Sequence, residues 1–198
     1  AGEPRESAAR LLALVAACAQ VRLHAADVTA LITATCDTLV RVGGYSVAAI
    51  RLLHSANPDH EPLRALRIAP GHAPLLWSEL ERLKEPAASR SLDYAGETLG
   101  TLRLAHAAAS FDASEQQWLD SLAADLAFGI HALDARRTQR EQDLQLRQLS
   151  RALESSSNGV MITSSTQLDH PIVYVNPAFE RITGYSAGEV VGQSGRFL

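Results

Sequence analysis

Apolar residues recur at helical spacing from the start of the chain, with Leu11, Leu12, Val15, Cys18 and Ala19 marking an amphipathic helix over residues 6–24. Asp27 is placed to cap a second helix that ends at Gly43-Gly44. The period then shortens. Tyr45 to His54 reads as a strand, with Val47, Ala49, Ile50, Leu52 and Leu53 apolar on both faces. After the turn Asn57-Pro58-Asp59, Leu63 to Ile68 forms a second strand in hairpin with the first. Pro70, Gly71 and Pro74 lead into a short helix carrying Leu75, Leu76, Leu80 and Leu83, closed by Pro86. Arg90–Tyr94 and Glu97–His106 make another hairpin across Ala95-Gly96.

Asp112 and Glu115 then stand at capping-box spacing before a helix with no proline, and only Gly129, until about Ser155. At 1.5 Å per residue it is roughly 60 Å long. Its first half carries Leu119, Leu122, Leu126, Ile130 and Leu133, which should pack in a core. From Ala135 to Asp143 it turns polar, and then Leu146, Leu149 and Leu153 follow at 3–4 spacing. A polar middle is either a solvated connector or a coiled-coil strand. The leucine stripe has no partner in its own domain, so a parallel homodimer through the long helix is expected.

The end of the chain changes character again. Ile172, Val173 and Val175 form a β-branched run; Asn176 is an N-cap with Pro177 at the first helical position. Gly184 can end that helix in the left-handed conformation, and Ser186 with Glu189 begins another.

The run Asn176-Pro-Ala-Phe-Glu-Arg-Ile-Thr-Gly-Tyr-Ser-Ala-Gly-Glu-Val-Val-Gly192 resembles the opening half of a PAS sensor domain. Upstream, Tyr45-Ser-Val-Ala-Ala-Ile-Arg-Leu-Leu53, Gly96-Glu-Thr-Leu-Gly-Thr-Leu-Arg-Leu-Ala105 and the segment from Ser110 to Ala127 resemble a GAF domain. The resemblance implies an α+β fold: a GAF-like sensory domain over 1–135 with an antiparallel sheet flanked by helices, a signalling helix over 136–155, and a truncated PAS domain over 156–198. It further implies a non-catalytic input module of a bacterial sensor, serving a cyclic-di-GMP enzyme of the GGDEF/EAL type or a histidine kinase. The alternative is a ligand-free dimerisation module. A PAS core is closed by later strands, so Phe179, Ile182, Val190, Val191 and Phe197 are expected to lack packing partners, and the strand at Ile172–Val175 an edge partner.

A GAF domain implies a small-molecule pocket on one sheet face. By alternation, Ser46, Ala48, Ile50 and Leu52 share one face, and Tyr45, Val47, Ala49, Arg51 and Leu53 the other. In the last strand Gly100, Leu102 and Leu104 oppose Thr101, Arg103 and Ala105. The apolar faces should meet the helices, leaving Tyr45, Arg51, Thr101 and Arg103 as candidate ligand residues. Two arginines together can hold an anion; alternatively both are exposed, their stems covering apolar surface.

Composition narrows the chemistry. With net charge −4 and its basic residues spread along the chain, the protein is not expected to bind nucleic acid. No run of about 18 apolar residues suggests a membrane span, and no secretory signal is visible, so a cytoplasmic location is expected. Cys18 and Cys36 read as small buried hydrophobes. The seven histidines have no partners at metal-ligand spacing, so neither metal nor other cofactor is expected. Photoactive flavin-binding PAS domains use a cysteine in Gly-x-Asn-Cys-Arg-Phe-Leu; here Gly192-Gln-Ser-Gly-Arg-Phe-Leu198 places Gly195 at that position.

Overall fold

The computed structural model describes residues 3–53, 63–72, 79–80, 87–106 and 111–197, which form two compact units, Ala1–Arg137 and Thr138–Leu198. In the first unit, helix α1 (Glu3–His24) and helix α2 (Val28–Arg41) precede strands β1 (Val47–Leu52), β2 (Arg64–Ile68), β3 (Ala87–Tyr94) and β4 (Glu97–Ala105). Helix α3 (Ala113–Ser155) follows. The cap expected at Asp27 is made: its Oδ1 accepts from Ala30 N at 2.7 Å. The box that starts α3 also closes, with Glu115 N donating to Asp112 Oδ1 at 2.7 Å.

The four strands form one antiparallel sheet in the order β2-β1-β4-β3. Both predicted hairpins are present. β3 starts three residues earlier than the sequence suggests, because Ala87–Ser89 continue the ladder against Ala105–Arg103. Ala95 and Gly96 take φ of 51° and 85° between the paired residues Tyr94 and Glu97, the two positive φ angles of a tight hairpin turn. Of the short helix expected between Pro70 and Pro86, most lies outside the described residues; Leu80 is buried beside Val47, Ala49 and Ala105.

One sheet face is the floor of the main core. Ala48, Ile50, Leu52, Leu92, Leu102 and Leu104 pack with Leu14 of α1, Leu31, Ile32 and Leu39 of α2, and Leu119 and Leu126 of α3. Of the strand positions, all but Leu92 are those that two-residue alternation assigned to the helix side, and each large side chain so buried contributes roughly 1.5–3 kcal/mol. Cys36 lies in this core and Cys18 packs at its margin, both as free thiols.

The second unit contains the C-terminal part of α3, strand β5 (Met161–Thr163), strand β6 (Ile172–Val175), helix α4 (Pro177–Thr183), helix α5 (Ala187–Val190) and one 3₁₀ turn, Gly195–Phe197. β5 pairs antiparallel with β6 and was not anticipated; three residues are too few to show a period. Gly184 caps α4 at φ 80°, as expected. The expected loss of packing is corrected for two residues: Phe179 and Val190 join Ile172 and Val175 in a small core, at 5% and 1% exposure. Chain return explains this. Ile172 N donates to Gln193 O and Gly192 N to Ile172 O, both at 2.8 Å, so residues 192–194 also cover the second edge of β6. Ile182 and Val191 are exposed, as expected.

Candidate functional site: a cationic cleft on the second sheet face

The sheet face turned away from α1 and α2 holds a cleft of about 270 Å³ lined by Ala49, Arg51, Arg64, Leu80, Ser89, Thr101 and Arg103. Register brings these side chains together. Arg51 on the central β1 stands opposite Thr101 on β4 and Arg64 on β2. Arg103 stands opposite Ala49 on β1 and Ser89 on β3. Arg51 and Arg103 are therefore diagonal neighbours on one face, with Cβ atoms about 7 Å apart. Small residues at Ala49 and Ser89 leave the room that the long side chains enclose.

The lining is electrostatically one-sided: three guanidinium groups and no carboxylate among its described residues. Like charges on one face repel: two unit charges about 7 Å apart do so by about 2 kcal/mol at an effective dielectric of 20, and by well under 1 in water. Arg103 adds a second tension. Its Nε is buried and has no hydrogen-bond partner among the described residues. A buried donor left unpaired costs about 1–3 kcal/mol, and one bonded to an anion gains a charge-assisted bond instead. Hydroxyls at Ser89 and Thr101 supply further neutral donors.

Three of the four residues proposed from the sequence thus share one cleft: Arg51, Thr101 and Arg103. Arg64 and Ser89 were missed, although Arg64 was legible as the first residue of the partner strand once the register was known. Tyr45 does not join them. It precedes β1, outside the alternation, and its side chain is fully buried on the helix side. There its ring stacks on Phe111 at 5.9 Å, meets the His106 ring edge-on at 5.8 Å, and lies 6.0 Å under the Arg10 guanidinium. Burial, with the Glu115 carboxylate nearby, pushes the Tyr45 phenol well above its ordinary range. Arg10 bridges from α1 to Glu115 at the start of α3 and so ties this cluster together.

The expected dimer residues lie in the second unit. Leu146 and Leu149 are 65% and 63% exposed, and Leu153 is half-buried. Among the described residues no group of three or more His, Cys, Asp or Glu side chains could hold a metal ion, and no helix is long and apolar enough to cross a membrane.

Residues 146–198 match the PAS domain family. A blue-light photoreceptor of Listeria monocytogenes is 50% identical over 48 residues, which are 24% of this chain and 19% of that protein. A blue-light-activated histidine kinase of Brucella ovis is 47% identical over 47 residues, 24% of this chain and 10% of that one. The chain thus spans less than a fifth of the length of these relatives. Among solved structures, the GAF domain of an Acinetobacter phosphoenolpyruvate-protein phosphotransferase aligns with 67% of this chain and 98% of its own, at 15% identity and a TM-score of 0.46. The first unit is a four-stranded antiparallel sheet with helices packed on one face, and the match to the PAS domain family is confined to residues 146–198.

Proposed function

We propose that this chain is the sensory input module of a signal-transduction protein: the cationic cleft on its sheet binds a small anion, and α3 carries the resulting change toward a downstream effector. The observation that carries the reading is the buried, unpaired Nε–H of Arg103 in a cleft shared with two other arginines. At about 270 Å³ the cleft falls below the usual range for drug-sized ligands, roughly 300–1,000 Å³. This favours a compact carboxylate or phosphate over a dinucleotide. The module itself has no catalytic role in this reading; catalysis belongs to the effector. Of the two effector classes that the resemblance implies, a histidine kinase has support from the Brucella relative, whereas cyclic-di-GMP turnover has none from the relatives described. The light-sensing named in those relatives is not carried over, because Gly195 supplies no thiol at the position of the flavin-reactive cysteine.

A ligand-free dimerisation module is the second reading, favoured by the exposed Leu146 and Leu149. A thermal-shift series with phosphate, small dicarboxylates, cyclic nucleotides and neutral purines separates the two. At a hundredfold excess over Kd a ligand stabilises by about 2.7 kcal/mol. Stabilisation by a small anion that disappears in Arg103→Leu supports the sensor. No shift with any anion, in a folded protein, leaves the dimerisation module.

A further inference from the structure

We propose that the sheet cleft takes a monocarboxylate with a short apolar tail, an aryl or branched aliphatic acid, in preference to phosphate or a dicarboxylate. The inference rests on the anion-binding reading above and names the ligand class. The cleft is not uniformly cationic. Every second residue of a strand shares a face, so cross-strand register sets this face in rows about 7 Å apart. Ile68, Val47 and Ala105 make one row, which carries no polar side chain. Leu66, Ala49 and Arg103 make the next, and Arg64, Arg51 and Thr101 the third, which is wholly polar. The face therefore passes from hydrocarbon to charge along the strand direction. Leu80 extends the apolar end: it lines the cleft and is buried with Val47, Ala49 and Ala105.

The donor that lacks an acceptor stands at the boundary. Arg103 is opposite Ala49, and its Nε–H is buried with no partner among the described residues, whereas Arg51 and Arg64 are exposed. An anion held by Arg103 thus has the polar row on one side and Ala49 with Leu80 on the other. A carboxylate suits that boundary, because both its oxygens meet the guanidinium fork and its substituent points away from them. Phosphate presents oxygens in every direction, and those turned toward Ala49 and Leu80 would lose water without gaining a partner. A compact diacid could reach Arg51 with its second carboxylate, but an exposed ion pair adds at most about fivefold in affinity. Each methylene buried at the apolar end adds roughly fourfold. A tail of three or more carbons therefore outweighs a second charge.

Methyl NMR titrations of the full chain measure affinity and location together. The probes are acetate, isovalerate, phenylacetate, malonate, inorganic phosphate and the neutral phenylacetamide. Isovalerate and phenylacetate should bind on the order of tenfold tighter than acetate, malonate or phosphate, and phenylacetamide should bind far more weakly than its acid. The methyl signals of Ala49 and Leu80 should move with phenylacetate and stay nearly still with acetate. Malonate or phosphate binding as tightly as phenylacetate overturns the apolar tail and leaves the anion sensor standing. Phenylacetate binding that leaves Ala49 and Leu80 unmoved places the acid elsewhere and overturns the inference. Phenylacetamide binding as tightly as phenylacetate overturns both readings, since charge then plays no part. Failure of every anion to bind also overturns both.

Discussion

The side-chain amide of Asn176 donates to the carbonyl oxygen of Leu153 at 2.8 Å, across 23 residues of sequence. The same amide donates to Asn158 O at 3.0 Å, while its oxygen accepts from Val160 N at 2.8 Å and Phe179 N at 2.9 Å. Asn176 is fully buried, and these four bonds use its two donors and both lone-pair directions. One side chain therefore caps α4, holds the approach to β5, and satisfies a carbonyl in the last turn of α3 that has no partner within the helix. Replacing it should loosen all three. Asn176→Ala is expected to destabilise the second unit by about 2–4 kcal/mol, since several buried or half-buried backbone groups lose partners at once. Amide hydrogen exchange would show faster exchange at Val160 and Phe179 together. Loosening of Phe179 alone would reduce Asn176 to an ordinary helix cap.

Gly100 sits opposite Leu52 on β1 and Leu92 on β3. A Cβ there would lie 2.4 Å from Arg51 O and 3.0 Å from the Leu52 Cα, both backbone atoms that cannot turn aside. Gly100→Ala should destabilise by about 1–3 kcal/mol, the usual scale of overpacking. Chemical denaturation measures it; an unchanged midpoint would mean that the strands can separate at this point without loss.

Ala95 holds φ 51° at the first turn position of the β3–β4 hairpin, beside Gly96. Asparagine tolerates this conformation better, and Asn-Gly suits the tight hairpin. Ala95→Asn should raise stability by about 0.5 kcal/mol or slightly more, visible as a higher melting temperature. A lower melting temperature would refute the turn assignment.

Glu189 is held below the ordinary carboxylate range by bonds from Ser186 Oγ at 2.7 Å and Ser186 N at 2.8 Å. A depressed folded-state pKa means that this contribution is present above the unfolded pKa. It is lost as pH falls through the lower folded value. The start of α5 should therefore loosen only in acid, and Ser186→Ala should move the Glu189 titration back toward its ordinary range. An NMR titration of the side-chain carboxyl follows both, and an identical curve in the variant would contradict the capping box.

Much of the fold was legible locally, because its signals depend on neighbours in sequence. Asp27, Asp112 with Glu115, Asn176-Pro177, Gly184 and Ser186 with Glu189 each mark a helix end through bonds spanning only a few residues. Two-residue alternation on β1 and β4 was enough to separate Ile50 and Leu102, which face the helices, from Arg51 and Arg103, which face the cleft. The rest needed tertiary structure. Tyr45 lies before the regular strand, so alternation could not predict that it turns to Phe111, His106 and Arg10. Arg64 and Ser89 enter the cleft only through cross-strand register, which no single strand encodes. β5 exists because β6 lies beside it, and three residues alone show no period. The second role of Asn176 also belongs to the fold. Its sequence neighbours identify a cap, but the carbonyl of Leu153 comes within reach only after the chain has turned back on itself, where it accepts from the side-chain amide at 2.8 Å.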